Sequence, residues 1–232
     1  MSVKPFQRRL ISNQTFASPA IKKRSEGDSS LPQITGYAAV FYNAGEPGTE
    51  YRLWDDMVER IRPGAFDRAV KEDDVRALFN HDANKVLGRN KSGTLRLSVD
   101  ARGLKYEIDP PETETAKELL AGLSRGDISG SSFTFIPTKV VWEEVRALDG
   151  GGSTYVRWIE DVALFDVGPV TFPAYEATDS EAKGRSTSDF SVIDSSGNLE
   201  REFSEWRRSL NAAADMDRAK ALSLTIAMDD AE

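Results

Sequence analysis

Leu95-Arg96-Leu97-Ser98-Val99-Asp100-Ala101-Arg102-Gly103-Leu104-Lys105-Tyr106-Glu107-Ile108 is the stretch from which the fold can be read. Leu95, Leu97 and Val99 alternate with polar residues, and so do Leu104, Tyr106 and Ile108. Successive strand side chains point to opposite faces, so each run presents one apolar and one polar side. Asp100-Ala101-Arg102-Gly103 between them is turn chemistry, and the whole predicts a β-hairpin with one buried face. Such a face needs more structure against it, and the flanking sequence supplies it.

Upstream, Gln33 to Phe41 is a strand-like run closed by the turn-prone residues Asn43 to Gly48, and Met57 to Ile61 predicts another strand. Pro63-Gly64 opens a short helix through Val70, and the apolar run Val75 to Phe79 leads directly into Asn80-His81-Asp82. Downstream, Thr115-x-x-Glu118 reads as a capping box, with Ala116, Leu119, Leu120 and Leu123 on one helical stripe ended by Gly126. Ile128 to Ile136, Val140 to Val145 and Tyr155 to Val167 predict three strands of a meander, the last two joined by the turn Asp149 to Ser153. The body is therefore residues 33–178, mainly β with at least two helices (α+β). Residues 1–32 mix Ser, Pro, Lys and Arg without periodicity and read as a flexible basic leader. Residues 179–232 read as a polar linker followed by a helix-prone tail with sparse apolar positions, compatible with a partner-binding helix or a removable tail.

Charge is distributed unevenly. Through Ser25 the chain carries Lys4, Arg8, Arg9, Lys22, Lys23 and Arg24 and no acid, so all 38 acidic residues fall in the remainder, and the chain as a whole has a net charge of -8. A basic arm on an acidic body suits contact with something negative, or else simple solvation. The acidic body, without an aromatic-basic surface, argues against a nucleic-acid-binding module as the function. No stretch approaches the ~20 apolar residues that span a bilayer, and the N-terminus lacks the apolar segment of a secretory signal. Cysteine is absent, which excludes disulfides, thiolate nucleophiles and cysteine-based zinc sites. One histidine is too few for the usual zinc hydrolases, no acidic spacing marks a magnesium site, and no metal or cofactor is expected.

Three segments carry residues capable of chemistry. His81 ends an apolar run and is followed by Asp82; a lone histidine is commonly a surface residue, yet it is also the side chain best suited to act as a base. In Ser129-Gly130-Ser131-Ser132-Phe133-Thr134-Phe135, strand alternation puts the two phenylalanines on one face and Ser132 with Thr134 on the other. Anchored phenylalanines would present Ser132 rigidly on an outer surface, as a nucleophile requires; an edge strand rich in Ser and Gly describes the same residues. Asp166 is a charge inside the otherwise apolar run Leu164 to Tyr175, where a buried carboxylate needs a partner and an outward-facing one does not.

In this order the segments resemble the tailed-phage prohead (procapsid) maturation protease family, serine peptidases related to the herpesvirus protease assemblin. The matching stretches are Val58 to Phe66, Asn80-His81-Asp82 with Val86-Leu87-Gly88, Gly93 to Leu97, Asp100-x-x-Gly103-Leu104, Arg125 to Phe133, and Asp166 to Tyr175, spanning about Gly36 to Thr178. The resemblance implies a closed β-barrel of the herpesvirus-protease-like type with peripheral helices. It implies an endopeptidase with Ser132 as nucleophile, His81 as general base and Asp166 orienting the imidazole, and no cofactor. Ser131 and Ser129 crowd the nucleophile position, and Gly168 stands where many relatives have serine, a departure expected to be neutral. The partners implied are the major capsid protein with its scaffold region, with dimerisation by analogy to assemblin and no membrane. The place implied is the interior of the assembling procapsid in the host cytoplasm, where the termini would be sites of autocleavage. A non-enzymatic capsid assembly or scaffolding protein derived from the protease is the alternative.

Overall fold

The hairpin forms as its alternation requires. In the computed structural model, which describes residues 7–11, 19–25, 30–146, 152–171 and 199–213, β8 (Leu95–Val99) pairs antiparallel with β9 (Gly103–Ile108), Val99 opposite Leu104 and Leu95 opposite Ile108. Leu95, Leu104, Tyr106 and Ile108 are buried. β3 (Gln33–Val40) flanks β9, and β2 (Ala20–Lys22) flanks β3, completing a four-stranded sheet in the order β2-β3-β9-β8. Asp109, just past β9, gathers Arg24, Gln33 and Arg96 around its carboxylate. The hydrogen bond from Arg96, with those from Gln33 and the positive charge of Arg24, lowers its pKa to about 2.

The second sheet is built on two long strands, β10 (Gly130–Arg146) and β11 (Ser153–Val170), where three shorter ones were expected. β10 continues through Pro137 because register shifts between Pro137 and Val140 absorb the proline and keep the ladder to β11 intact. β1 (Gln7–Ile11) pairs with the other side of β10. On the far side of β11, β5 (Met57–Ile61) and then β4 (Glu50–Trp54) extend the sheet. β5 runs parallel to β11 along Tyr155 to Ile159. Further along β11, β6 (Arg76–Leu78) pairs in parallel with Asp166 and Val167, and β7 (Val86–Arg89) pairs with β6. A single hydrophobic core joins both sheets, with Phe133 and Phe135 of β10, Tyr106 of β9 and Ala38 of β3 among its members. The architecture is mainly β with a few helices. Among the described residues the pairing gives two sheets, neither closed into a barrel by hydrogen bonds.

The helices are small. The residues after Pro63 turn rather than helix up, and α1 is only Ala69–Glu72. α2 (Glu114–Arg125) starts two residues earlier than the capping-box reading requires, because Thr113, not Thr115, accepts a hydrogen bond from the Ala116 N–H. Its predicted stripe buries Ala116, Leu119 and Leu120, and Gly126 ends it at φ 81° in the left-handed region open to glycine. Two segments of the expected leader, 7–11 and 20–22, are strands. The polar linker expected at 180–198 and the last part of the tail lie outside the described residues. Residues 199–213 form a helix in a second unit, Asp194–Glu232, in which Phe203 and Trp206 stack with ring centroids 5.7 Å apart. No helix among the described residues is long and apolar enough to cross a membrane.

Candidate active site

Strand alternation along β10 sorts the serines. Ser131, Phe133 and Phe135 face the core, where the Ser131 hydroxyl meets the Tyr106 hydroxyl at 2.8 Å and the two phenylalanine rings stack 4.8 Å apart. Burial pushes the Tyr106 phenol well above its ordinary pKa, so it stays a neutral hydroxyl. Ser131 is thereby committed to the core, and Ser129 lies in the loop before the strand begins. Ser132 and Thr134 face the opposite side, as the alternation predicts. That side is not an open surface, since Ser132 is 0% exposed and Thr134 is buried too.

Part of the cover is His81. β6 runs alongside the end of β11, and just after it Asn80 and His81 take φ of 56° and 55°, a region costly for a side chain larger than glycine. Asn80 holds this turn in place. Its N–H donates to the Pro169 carbonyl at 3.1 Å, its Oδ1 accepts from the Thr171 N–H at 2.8 Å, and its Nδ2 donates to Thr171 Oγ1 at 3.0 Å. The chain reverses sharply over the end of the β10–β11 ladder, and the imidazole lands on the Ser132 face. Its Nε2 is 2.5 Å from Ser132 Oγ, and its Nδ1 is 2.5 Å from Asp166 Oδ1.

Asp166 reaches that face because β11 carries a bulge. Thr134 is opposite Asp166 while Phe135 is opposite Leu164, so Phe165 is the extra residue. Val162 and Leu164 face the core before the bulge and Val167 after it. Without the bulge, Asp166 would follow Leu164 into the apolar core; with it, the carboxylate turns to the histidine. Between β5 and β6 the edge of β11 has no strand neighbour among the described residues, and side chains satisfy its backbone there. Asp73 accepts from the Leu164 N–H at 2.7 Å, and Arg68 donates to the Val162 carbonyl.

The structure thus brings together all three residues singled out in the sequence, His81, Ser132 and Asp166. It adds Thr134, whose Oγ1 is 3.1 Å from His81 Nδ1 and which sits across the ladder from Asp166. The Asp166 carboxylate and the Thr134 hydroxyl both lie within hydrogen-bond distance of Nδ1, and together they limit rotation of the ring. Position on the Ser132 face was the sequence signal for Thr134, but a threonine there reads equally as an ordinary strand residue. A hydroxyl on Nε2 and a carboxylate on Nδ1 leave Nε2 free to take the hydroxyl proton, the arrangement that generates a serine nucleophile.

Gly168 stands opposite Ser132. A Cβ at this position would lie 2.1 Å from the Leu78 carbonyl oxygen, so its lack of a side chain lets β6 approach β11 and deliver His81.

No curated protein and no solved structure matches the chain. A family model described as caudovirus prohead serine protease matches residues 19–192, a span that includes His81, Ser132 and Asp166. The chain belongs to the caudovirus prohead serine protease family.

Proposed function

We propose that this chain is a Ser-His-Asp endopeptidase that cleaves the scaffold region of the capsid protein, and its own termini, inside the assembling procapsid. The observation that carries the reading is the single line of hydrogen bonds from Ser132 Oγ through the His81 ring to Asp166. His81 takes the Ser132 proton as the hydroxyl attacks the scissile carbonyl, and returns it to the departing amine. Asp166 keeps the Nδ1–H tautomer and stabilises the imidazolium formed on the way. Water then repeats the attack on the acyl-enzyme with His81 again as base. The test is incubation of the full chain with its capsid-scaffold precursor, followed by intact mass, with a serine-directed phosphonate in parallel. Discrete fragments and one phosphonate per chain are the expected result. An uncut precursor together with an unlabelled chain would point instead to a non-enzymatic assembly or scaffolding role.

On this reading Gly168→Ala separates folding from positioning. The added methyl pushes β6 away from β11, and a displacement of ~1 Å at a catalytic base costs on the order of 10² in rate. The strain itself destabilises by about 1–3 kcal/mol. The expected outcome is a folded protein with a lowered Tm whose cleavage rate falls far more than its folded fraction. Unchanged cleavage at unchanged Tm would mean that the approach of Leu78 to Gly168 does not place His81.

A further inference from the structure

β10 is bonded on both sides. One side is β11, part of the body; the other is β1, five residues of the basic arm, with Leu10 opposite Ser132 and Ile11 opposite Ser131. Paired residues of an antiparallel ladder have Cα atoms about 4.5–5.5 Å apart, so the β1 backbone runs directly beside the nucleophile's own backbone. The family match begins at residue 19, after β1. Ser132 meanwhile is 0% exposed, so no scissile bond can reach it in this arrangement.

We propose that the β10 edge from Ser131 to Phe135 is where an extended substrate segment docks by strand addition, and that residues 7–11 occupy this edge in place of substrate. The inference rests on the protease reading above. An edge strand offers unpaired N–H and C=O groups that add an extended peptide, with affinity coming from the main chain. With β1 withdrawn, alternate N–H groups along Ser131 to Phe135 become free both to bind a substrate backbone and to meet an oxyanion formed beside Ser132. β1 and a substrate strand cannot hold the same groups together, so the arm competes with every substrate. β1 is short and, among the described residues, joined to the sheet along one side only, the features of a strand that can be exchanged.

Occupation by a tethered strand has a predictable strength. A short tether supplies an effective concentration of about 1 mM, so an arm whose free peptide binds with a Kd of about 0.1 mM masks the edge about tenfold. The experiment compares the full chain with the full-length double variant Arg9→Pro/Leu10→Pro. Neighbouring residues of an edge strand point their N–H groups alternately inward and outward, so one of the two prolines removes a ladder bond. The readout is the second-order rate of labelling by a peptidyl phosphonate, with Ser132→Ala as the blank. The variant is expected to label about tenfold faster, and a synthetic peptide of residues 5–13 at millimolar concentration to slow it competitively. Equal rates for the two chains, or no competition by the peptide, would overturn the inference while leaving Ser132-dependent labelling, and the protease reading, intact. Absence of Ser132-dependent labelling in both chains would overturn the protease reading itself and the inference with it.

Discussion

Ser132→Ala is expected to abolish phosphonate labelling and to lower kcat for cleavage of the capsid-scaffold precursor by about 10⁴–10⁶-fold. The size of the effect follows from the absence of substitutes. Ser131 is turned into the core on the Tyr106 hydroxyl, the chain has no cysteine, and His81 is its only histidine. His81→Ala should therefore fall to the same level, and the double variant Ser132→Ala/His81→Ala should fall no further, because residues acting as one unit are not additive. Asp166→Asn should keep the geometry but favour the wrong tautomer, at a cost of about 10⁴ in kcat. Ser132→Ala should cost no more stability than the loss of one or two hydrogen bonds, about 1 kcal/mol each, whereas His81→Ala takes the partner from the buried Asp166 carboxylate and should cost more. Full activity in Ser132→Ala would sink the assignment of the nucleophile, and an additive double variant would sink the assignment of His81 as its base.

The legibility of this site in the sequence differs residue by residue. The β8–β9 hairpin and the buried stripe of α2 follow from local periodicity, and both are found as read, with only the cap displaced from Thr115 to Thr113. Asp166 could be noticed because a charge interrupts an apolar run, but its direction could not. One extra residue at Phe165 decides whether the carboxylate enters the core or meets His81, and a bulge leaves no mark on hydropathy. Alternation put Ser132 and Thr134 on one face, whereas the burial of that face depends on a turn some fifty positions earlier in the chain. β1 is the least legible element. Five residues without alternation look like a solvated arm, and their pairing partner lies more than a hundred residues away. The joining of the expected meander into two long strands has a similar origin, because the register shifts that carry β10 past Pro137 are set by its partner.

Glu59 and Arg157 were not singled out in the sequence, and they give the largest effect expected on stability. They are direct partners in the parallel ladder between β5 and β11, both side chains are 0% exposed, and their charged atoms meet at 2.5 Å. Taking two charges out of water is costly and their attraction only roughly offsets it, but removing one partner deprives the other buried charge of its counter-ion. Arg157→Ala is accordingly expected to destabilise by about 3–5 kcal/mol, a large part of the ~5–15 kcal/mol typical of a domain. Glu59→Leu/Arg157→Met removes both charges and should recover most of that loss. Urea unfolding of the three chains measures this directly, and a cost below about 1 kcal/mol for the single variant would match an exposed pair, not a buried one. The recovered double variant isolates what the charges do beyond stability. A slip of one residue would set Arg157 beside Val58 or Arg60 and turn every side chain of β5 to the other face. The ion pair is satisfied in only one register, so it selects that register even where it adds little net energy. The double variant should then cleave like wild type once folded but refold more slowly or with more than one phase, and single-phase refolding at the wild-type rate would show that the apolar pattern of β5 fixes the register unaided.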